Sequence, residues 1–192
     1  MKEYDVIAIG TGSAMNVLDG MMQRNPDLKA AVIDKDEPGG ICLTRGCIPS
    51  KILLYPAELR EIERAETFGI DVAIRNVDFS KVMKRMRTLI DGDINSIRQG
   101  LSESPNIDYY HAVAEFVDRY TLQVRGETIR SKMILLSIGS KPIIPPIKGL
   151  NEVGYKTSDT ILSETTLNSA NKSSVDIVVT EKLDSRTVVV RR

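Results

Sequence analysis

The chain has 192 residues, 26 basic and 26 acidic side chains, a formal net charge of zero and 42% hydrophobic residues. Balanced charge argues against nucleic acid or an anionic membrane as partner, and the length suits one ordinary domain with a small addition. The charged start Met1-Lys2-Glu3-Tyr4-Asp5 is not a secretory signal, and no apolar stretch is long enough to span a bilayer, so a cytoplasmic protein is expected.

Tyr4-Asp5-Val6-Ile7-Ala8-Ile9 is an apolar run of strand length that ends in glycine. Gly10-Thr11-Gly12-Ser13-Ala14-Met15-Asn16 follows, and Val17 to Met22 has helical character. Lys29 to Asp34 is a second strand ending in an acid. Together these form a βαβ unit with the glycine turn and distal carboxylate of a dinucleotide site. Gly10 permits the tight turn, and Gly12 lets a pyrophosphate approach the backbone. The helix that opens near Ser13 favours phosphate charge at its N-terminus, and Asp34 can accept hydrogen bonds from a ribose. Met15 stands where the third glycine of the fingerprint belongs, so the helix is expected to sit slightly farther from the strand.

The stretch Gly39 to Lys51 holds both cysteines, with four residues between them. Residues five apart in a regular helix have Cα atoms about 8–9 Å apart, whereas a disulfide needs them within about 7 Å. If Cys42 and Cys47 pair, the segment between them cannot be plain helix, and Gly46 is placed to relieve the bend. Pro49 suits the first turn of a helix continuing through Ser50, with a kink or break near Tyr55 because Pro56 lacks an N–H. A cysteine at a helix start has its thiolate favoured by the dipole. At this spacing the two thiols either form a reversible pair or stay reduced.

Asp78 or Ser80 can cap a long helix with apolar residues at Val82, Met86, Leu89, Ile90, Ile94, Ile97 and Leu101. Lys81, Lys84, Arg85 and Arg87 read as its solvated face. Ser104-Pro105-Asn106 ends it, and Asp108–Val117, Thr121–Val124 and Thr128–Ile129 read as short strands with turns at Asp118-Arg119 and Arg125-Gly126. His111, the sole histidine, reads as structural. Lys132 to Leu136 is a further strand leading to Ser137-Ile138-Gly139.

The string from Gly39 to Lys51 resembles the redox-active motif of the flavin-dependent disulfide reductases, Gly-Gly-Thr-Cys-x-Asn-x-Gly-Cys-x-Pro-Ser/Thr-Lys. Ile41 and Thr44 replace its Thr and Asn. Ala112 to Phe116 matches that family's Gly-x-Ala-x-Phe, and Ser137-Ile138-Gly139-Ser140 resembles its Ala-Thr-Gly-Ser. The resemblance covers about residues 3–162. It implies an α/β fold: a Rossmann-like FAD-binding domain over 1–150 with a parallel sheet, a long helical pair and a small antiparallel meander, incomplete relative to the family. Residues 151–174 are expected to be an exit segment and polar linker. Residues 175–192 are a β-prone tail, either a hairpin or unpaired, and a possible start of an NAD(P) domain.

The resemblance further implies FAD held by Gly10, Gly12, Ser13, Asp34, Gly40, Ile41 (through its backbone), Lys51, Ala114, Ser137 and Gly139. It implies a Cys42–Cys47 redox disulfide, with Cys42 as interchange thiol, Cys47 against the flavin and Lys51 biasing the reduced flavin by charge. No metal is implied. The expected activity is dithiol/disulfide oxidoreduction with NAD(H), most like dihydrolipoamide dehydrogenase. The alternatives are mercuric or another reductase of the family, a flavin-binding module without turnover, or an inert fragment. The expected partners are a small dithiol or disulfide or a lipoyl group. A second subunit and NAD(P) belong by family, with the domains that bind them expected to be absent from this chain.

Overall fold

The computed structural model describes residues 1–152, 154–164, 176–182 and 185–191. They fall into two compact units, one of residues 1–44 and 90–139 and the other of 45–89 and 140–192.

The first unit is built on β1 (Lys2–Ile9), α1 (Ala14–Arg24), β2 (Ala30–Asp34), α2 (Gly40–Arg45, to Thr44), the second half of the long helix α4 (Phe79–Glu103), β3 (Ile107–His111), β4 (Ala114–Asp118), β5 (Thr121–Val124) and β6 (Glu127–Leu136). The six strands lie in the order β3-β2-β1-β6-β5-β4. β3, β2, β1 and β6 run parallel, and β6, β5 and β4 are antiparallel. Alternation of apolar residues sorts the strands between two cores. Val6, Ala8, Ala30 and Val32 pack with Ala14 and Leu18 of α1 and Leu101 of α4, whereas Ile7, Ala31 and Ile33 pack with Tyr110, Leu122, Val124 and Ile129. Both faces being covered explains why β1 and β2 read as near-continuous apolar runs.

Two expected strands are redrawn. The run 108–117 is two strands: β3 extends the parallel sheet beside β2, and β4 belongs to the antiparallel part. Conversely, Thr128–Ile129 and Lys132–Leu136 form one strand, β6, whose start pairs with β5 while Ile129 to Leu136 pairs with β1. The hairpin loop Arg125-Gly126 has φ of 47° and 78°, the primed-turn sense that suits strand twist. The turn between β4 and β5 is at Arg119-Tyr120, one residue beyond the expected place, with Tyr120 at φ 59°.

The second unit contains α3 (Cys47–Glu58), a 3₁₀ segment Leu59–Phe68, the first part of α4, the short α5 (Ser158–Ile161), and the antiparallel pair β7 (Asp176–Lys182) and β8 (Ser185–Arg191). α3 passes through Pro56, which removes one helical donor, and changes to 3₁₀ geometry at Leu59, a little later than expected. The Asp78 carboxylate accepts from the Lys81 N–H at 3.0 Å, so Asp78 caps α4. The buried stripe of α4 begins at Met83 and not Val82, then runs through Met86, Ile90, Ile94 and Leu101, with Leu89 43% exposed. Arg87 leaves the solvated face: its guanidinium donates to the carbonyls of Leu162 at 3.2 Å and Glu164 at 2.5 Å. The β-prone tail forms a hairpin. Of the expected linker, residues 165–174 lie outside the described residues, as do Leu183-Asp184 between the hairpin strands.

Candidate functional site

At the C-terminal ends of β1, β2 and β6 the first unit brings Gly10, Gly12, Asp34, Gly40, Ile41, Ser137 and Gly139 together. Gly10 donates its N–H to the Ile33 carbonyl at 2.7 Å, and Ser137 donates to Ile9 at 2.8 Å. Gly10 has φ +99°, and a Cβ there would stand 2.0 Å from the Ser137 carbonyl oxygen. Gly40 has φ +66°, and its Cβ would stand 2.5 Å from the Cα of Gly12. Both glycines are demanded by backbone approaching backbone. Gly139, at φ +71°, lies against Ile41, whose Cδ1 would be 2.9 Å from an added Cβ. The side chain at position 41 thus makes an apolar contact.

The exposed Ser13 precedes α1 and makes no side-chain cap, and the first turn of α1 carries no acid. Its leading N–H groups therefore lack an anionic side chain of their own, the condition in which a helix end takes a phosphate. Ala14 and Leu18 are the buried residues of α1 in the core shared with β1 and β2, and Met15, partly buried, packs against that core; Met15 also lines a groove with Met22, Ile97, Leu101 and Ile107. The open glycine turn, the small residue over β1 and the acid closing β2 fit a dinucleotide.

Asp34 is more heavily engaged than its sequence position suggests. Its Oδ2 accepts from the N–H of Thr11 at 2.8 Å and the hydroxyl of Thr11 at 2.6 Å, and its Oδ1 accepts from the Asp36 N–H at 3.0 Å. The Asp34 carbonyl accepts from the Ala112 N–H at 2.9 Å, so the chain leaving β3 passes this end of β2 just before Ala114 opens β4. His111 is exposed, its ring stacked on Tyr109 with centroids 6.5 Å apart and its carbonyl held by Arg125. The Tyr109 oxygen is buried without a hydrogen-bond partner among the described residues. Burial first, and the Asp34 charge second, push its hydroxyl above the ordinary tyrosine range. Arg98 of α4 is bound to Glu37 close by in sequence to Asp34.

Cys42 lies on α2 and is exposed. Between α2 and α3 the helix breaks at Gly46, whose φ of −136° and ψ of −118° are not helical. Cys47 is the first residue of α3, and its carbonyl accepts the Ser50 hydroxyl at 3.0 Å. Lys51 is exposed one turn further along α3, on the same side of that helix as Cys47. Thus Cys42 follows the glycine cluster in the first unit, while Cys47 and Lys51 belong to the second. Thr11, absent from the expected site residues, is 3% exposed; a hydroxyl between two turn glycines, with an acid ending the next strand, was its only signal.

A parallel sheet with a glycine turn leading into α1 defines a Rossmann-like dinucleotide-binding fold. The family model for pyridine nucleotide-disulphide oxidoreductase matches residues 4–190, and the chain belongs to that family. Mycothione reductase of Mycobacterium tuberculosis is 36% identical over 169 residues, covering 84% of this chain and 36% of that protein. Mercuric reductase of Staphylococcus aureus is 31% identical over 166 residues, covering 83% and 29%. Dihydrolipoyl dehydrogenase of Acholeplasma laidlawii is 27% identical over 183 residues, covering 93% and 53%. The HOCl-induced flavoprotein disulfide reductase RclA from Escherichia coli matches with a TM-score of 0.69 at 26% identity, over 85% of this chain and 35% of that one. The chain spans about a third of the length of its first two relatives here, 36% and 29%. Among the described residues no helix is long and apolar enough to cross a membrane, and no cluster of three potential metal ligands occurs.

Proposed function

We propose that this chain is the flavin-binding and dithiol-exchanging portion of a disulfide oxidoreductase. The observation that carries this reading is the close approach of Gly40 to Gly12, which ties the dinucleotide turn to the helix bearing Cys42. FAD would be held by Gly10, Gly12, Ser13, Asp34, Gly40, Ile41, Ala114, Ser137 and Gly139, with Lys51 near the reacting ring. The bound flavin would supply two-electron chemistry linking the cysteine pair to a nicotinamide.

The cysteines do the exchange. A substrate thiolate attacks the sulfur of exposed Cys42, breaking the Cys42–Cys47 bond and releasing Cys47 as thiolate. The second substrate thiol then displaces Cys42, leaving an oxidised substrate and two reduced cysteines. Cys47, at the start of α3, gains from the positive helix end when anionic. The relatives' names span mycothione, mercuric and dihydrolipoyl chemistry, so the substrate class proposed is a small thiol or disulfide, with dihydrolipoamide as probe. NAD(H) and a second subunit belong to the same proposal.

The test is differential alkylation of the oxidised chain, read by mass spectrometry. Dihydrolipoamide should make Cys42 and Cys47 alkylatable together, and Cys42→Ser should leave Cys47 alkylatable from the outset. Full alkylation of both before any reductant, after mild oxidation, would defeat the reading.

A further inference from the structure

Thr11 is a buried side chain whose hydroxyl is used twice. It donates to Asp34 Oδ2 at 2.6 Å and accepts the Gly39 N–H at 3.0 Å. The Thr11 N–H goes to the same Oδ2 at 2.8 Å, while Asp34 Oδ1 takes the Asp36 N–H at 3.0 Å. An ionised carboxylate offers about four acceptor positions, two on each oxygen. Among the described residues Oδ2 is filled, and Oδ1 retains one place. An adenosine ribose presents two neighbouring hydroxyls, so the carboxylate is one acceptor short of holding both.

We propose that Thr11 is a positioning residue that locks Asp34 Oδ2 to the glycine turn, leaving a single acceptor on Oδ1 for a ribose hydroxyl. Through its bond to Gly39 it also ties that turn to the head of α2, which carries Cys42. The ribose half of the proposal rests on the FAD reading above, whereas the Gly39 half does not.

The ribose half makes the two hydroxyls unequal. A hydrogen bond to a charged group, left unmade, is worth about ten- to a hundredfold in affinity. FAD analogues lacking the adenosine 2′- or the 3′-hydroxyl should therefore differ by about tenfold or more in binding to the wild-type chain, followed by flavin fluorescence. Equal losses for the two analogues would overturn the single-acceptor claim. In Thr11→Val one place on Oδ2 is released, so the difference should shrink; Thr11→Ser should preserve it.

The Gly39 half is read without flavin, by amide hydrogen exchange of the full chain. In Thr11→Val the Gly39 amide should lose at least about tenfold of its protection. Thr11→Ser should keep it, and the Gly10 amide, bonded to Ile33, should keep its protection in both. Gly39 protection unchanged in Thr11→Val, or lost equally in Thr11→Ser, would overturn the tie. Should Thr11→Val fail to fold, the serine variant and the wild-type analogue pair still decide. Failure of FAD itself to bind would overturn the flavin reading and the ribose half with it, leaving Gly39 exchange to decide the rest.

Discussion

Replacing Gly40 by alanine tests whether the glycine turn and the cysteine helix are truly in backbone contact. An added Cβ would stand 2.5 Å from Gly12 Cα and 3.1 Å from Gly12 N, at a φ of +66°. Neither neighbour is the tip of a flexible side chain, so the backbone must move. The left-handed conformation costs alanine about 1–2 kcal/mol, and forcing a carbon into filled space costs about 1–3 kcal/mol more. The resulting loss of roughly 2–5 kcal/mol is a large share of the ~5–15 kcal/mol that holds a domain together. With a urea slope of about 2 kcal/mol/M, the unfolding midpoint should fall by about 1–2.5 M. Flavin retention should be lost as well, because relieving the clash displaces Gly12. Circular dichroism in urea and gel filtration with FAD measure both. A Gly40→Ala chain with the wild-type midpoint and full flavin retention would refute the reasoning.

Gly20 supplies the contrast: it lies inside α1 with nothing within 4 Å of its Cβ position. Gly20→Ala should therefore raise stability by about 0.5–1 kcal/mol, and a drop in the urea midpoint would contradict that. Asp78→Ala removes the cap of α4 and should cost about 0.5–2 kcal/mol, with Asp78→Asn closer to wild type in thermal melts. In the Tyr4 hydroxyl, burial first, then its bonds to Asp108 at 2.5 Å and Tyr110 at 2.9 Å, hold the proton beyond the ordinary tyrosine range. The folded chain then keeps a proton that the unfolded chain releases near pH ~10, so this stability is full below that pH and declines as pH rises above it. Tyr4→Phe should make the alkaline decline shallower, and parallel stability curves for the two proteins would show that Tyr4 contributes nothing to it.

The features legible in the sequence were those written in local chemistry. Gly10 announces a tight turn, Asp78 announces a helix start, and Arg125-Gly126 announces a turn between strands. Adjacent apolar residues blurred the phase of α4, since Val82 and Met83 both fit a helical stripe and only packing chose Met83. The split between β3 and β4 at Ala112-Val113 left no mark in an uninterrupted strand-like run, because pairing with β2 or with β5 is a tertiary choice. Long-range polar contacts were hidden for the same reason. The partners of Thr11 lie 23 and 28 residues away, and Arg87 reaches carbonyls 75 and 77 residues away.

The central claim is that this chain joins a flavin site to a redox-active cysteine pair. Its most direct measurement is the visible absorption of the FAD-loaded chain during anaerobic titration with dihydrolipoamide, with Cys47→Ser alongside. A long-wavelength band from thiolate beside flavin should appear on reduction in the wild type and be absent in Cys47→Ser. A flavin spectrum indifferent to the dithiol, or the same band in both proteins, would contradict it.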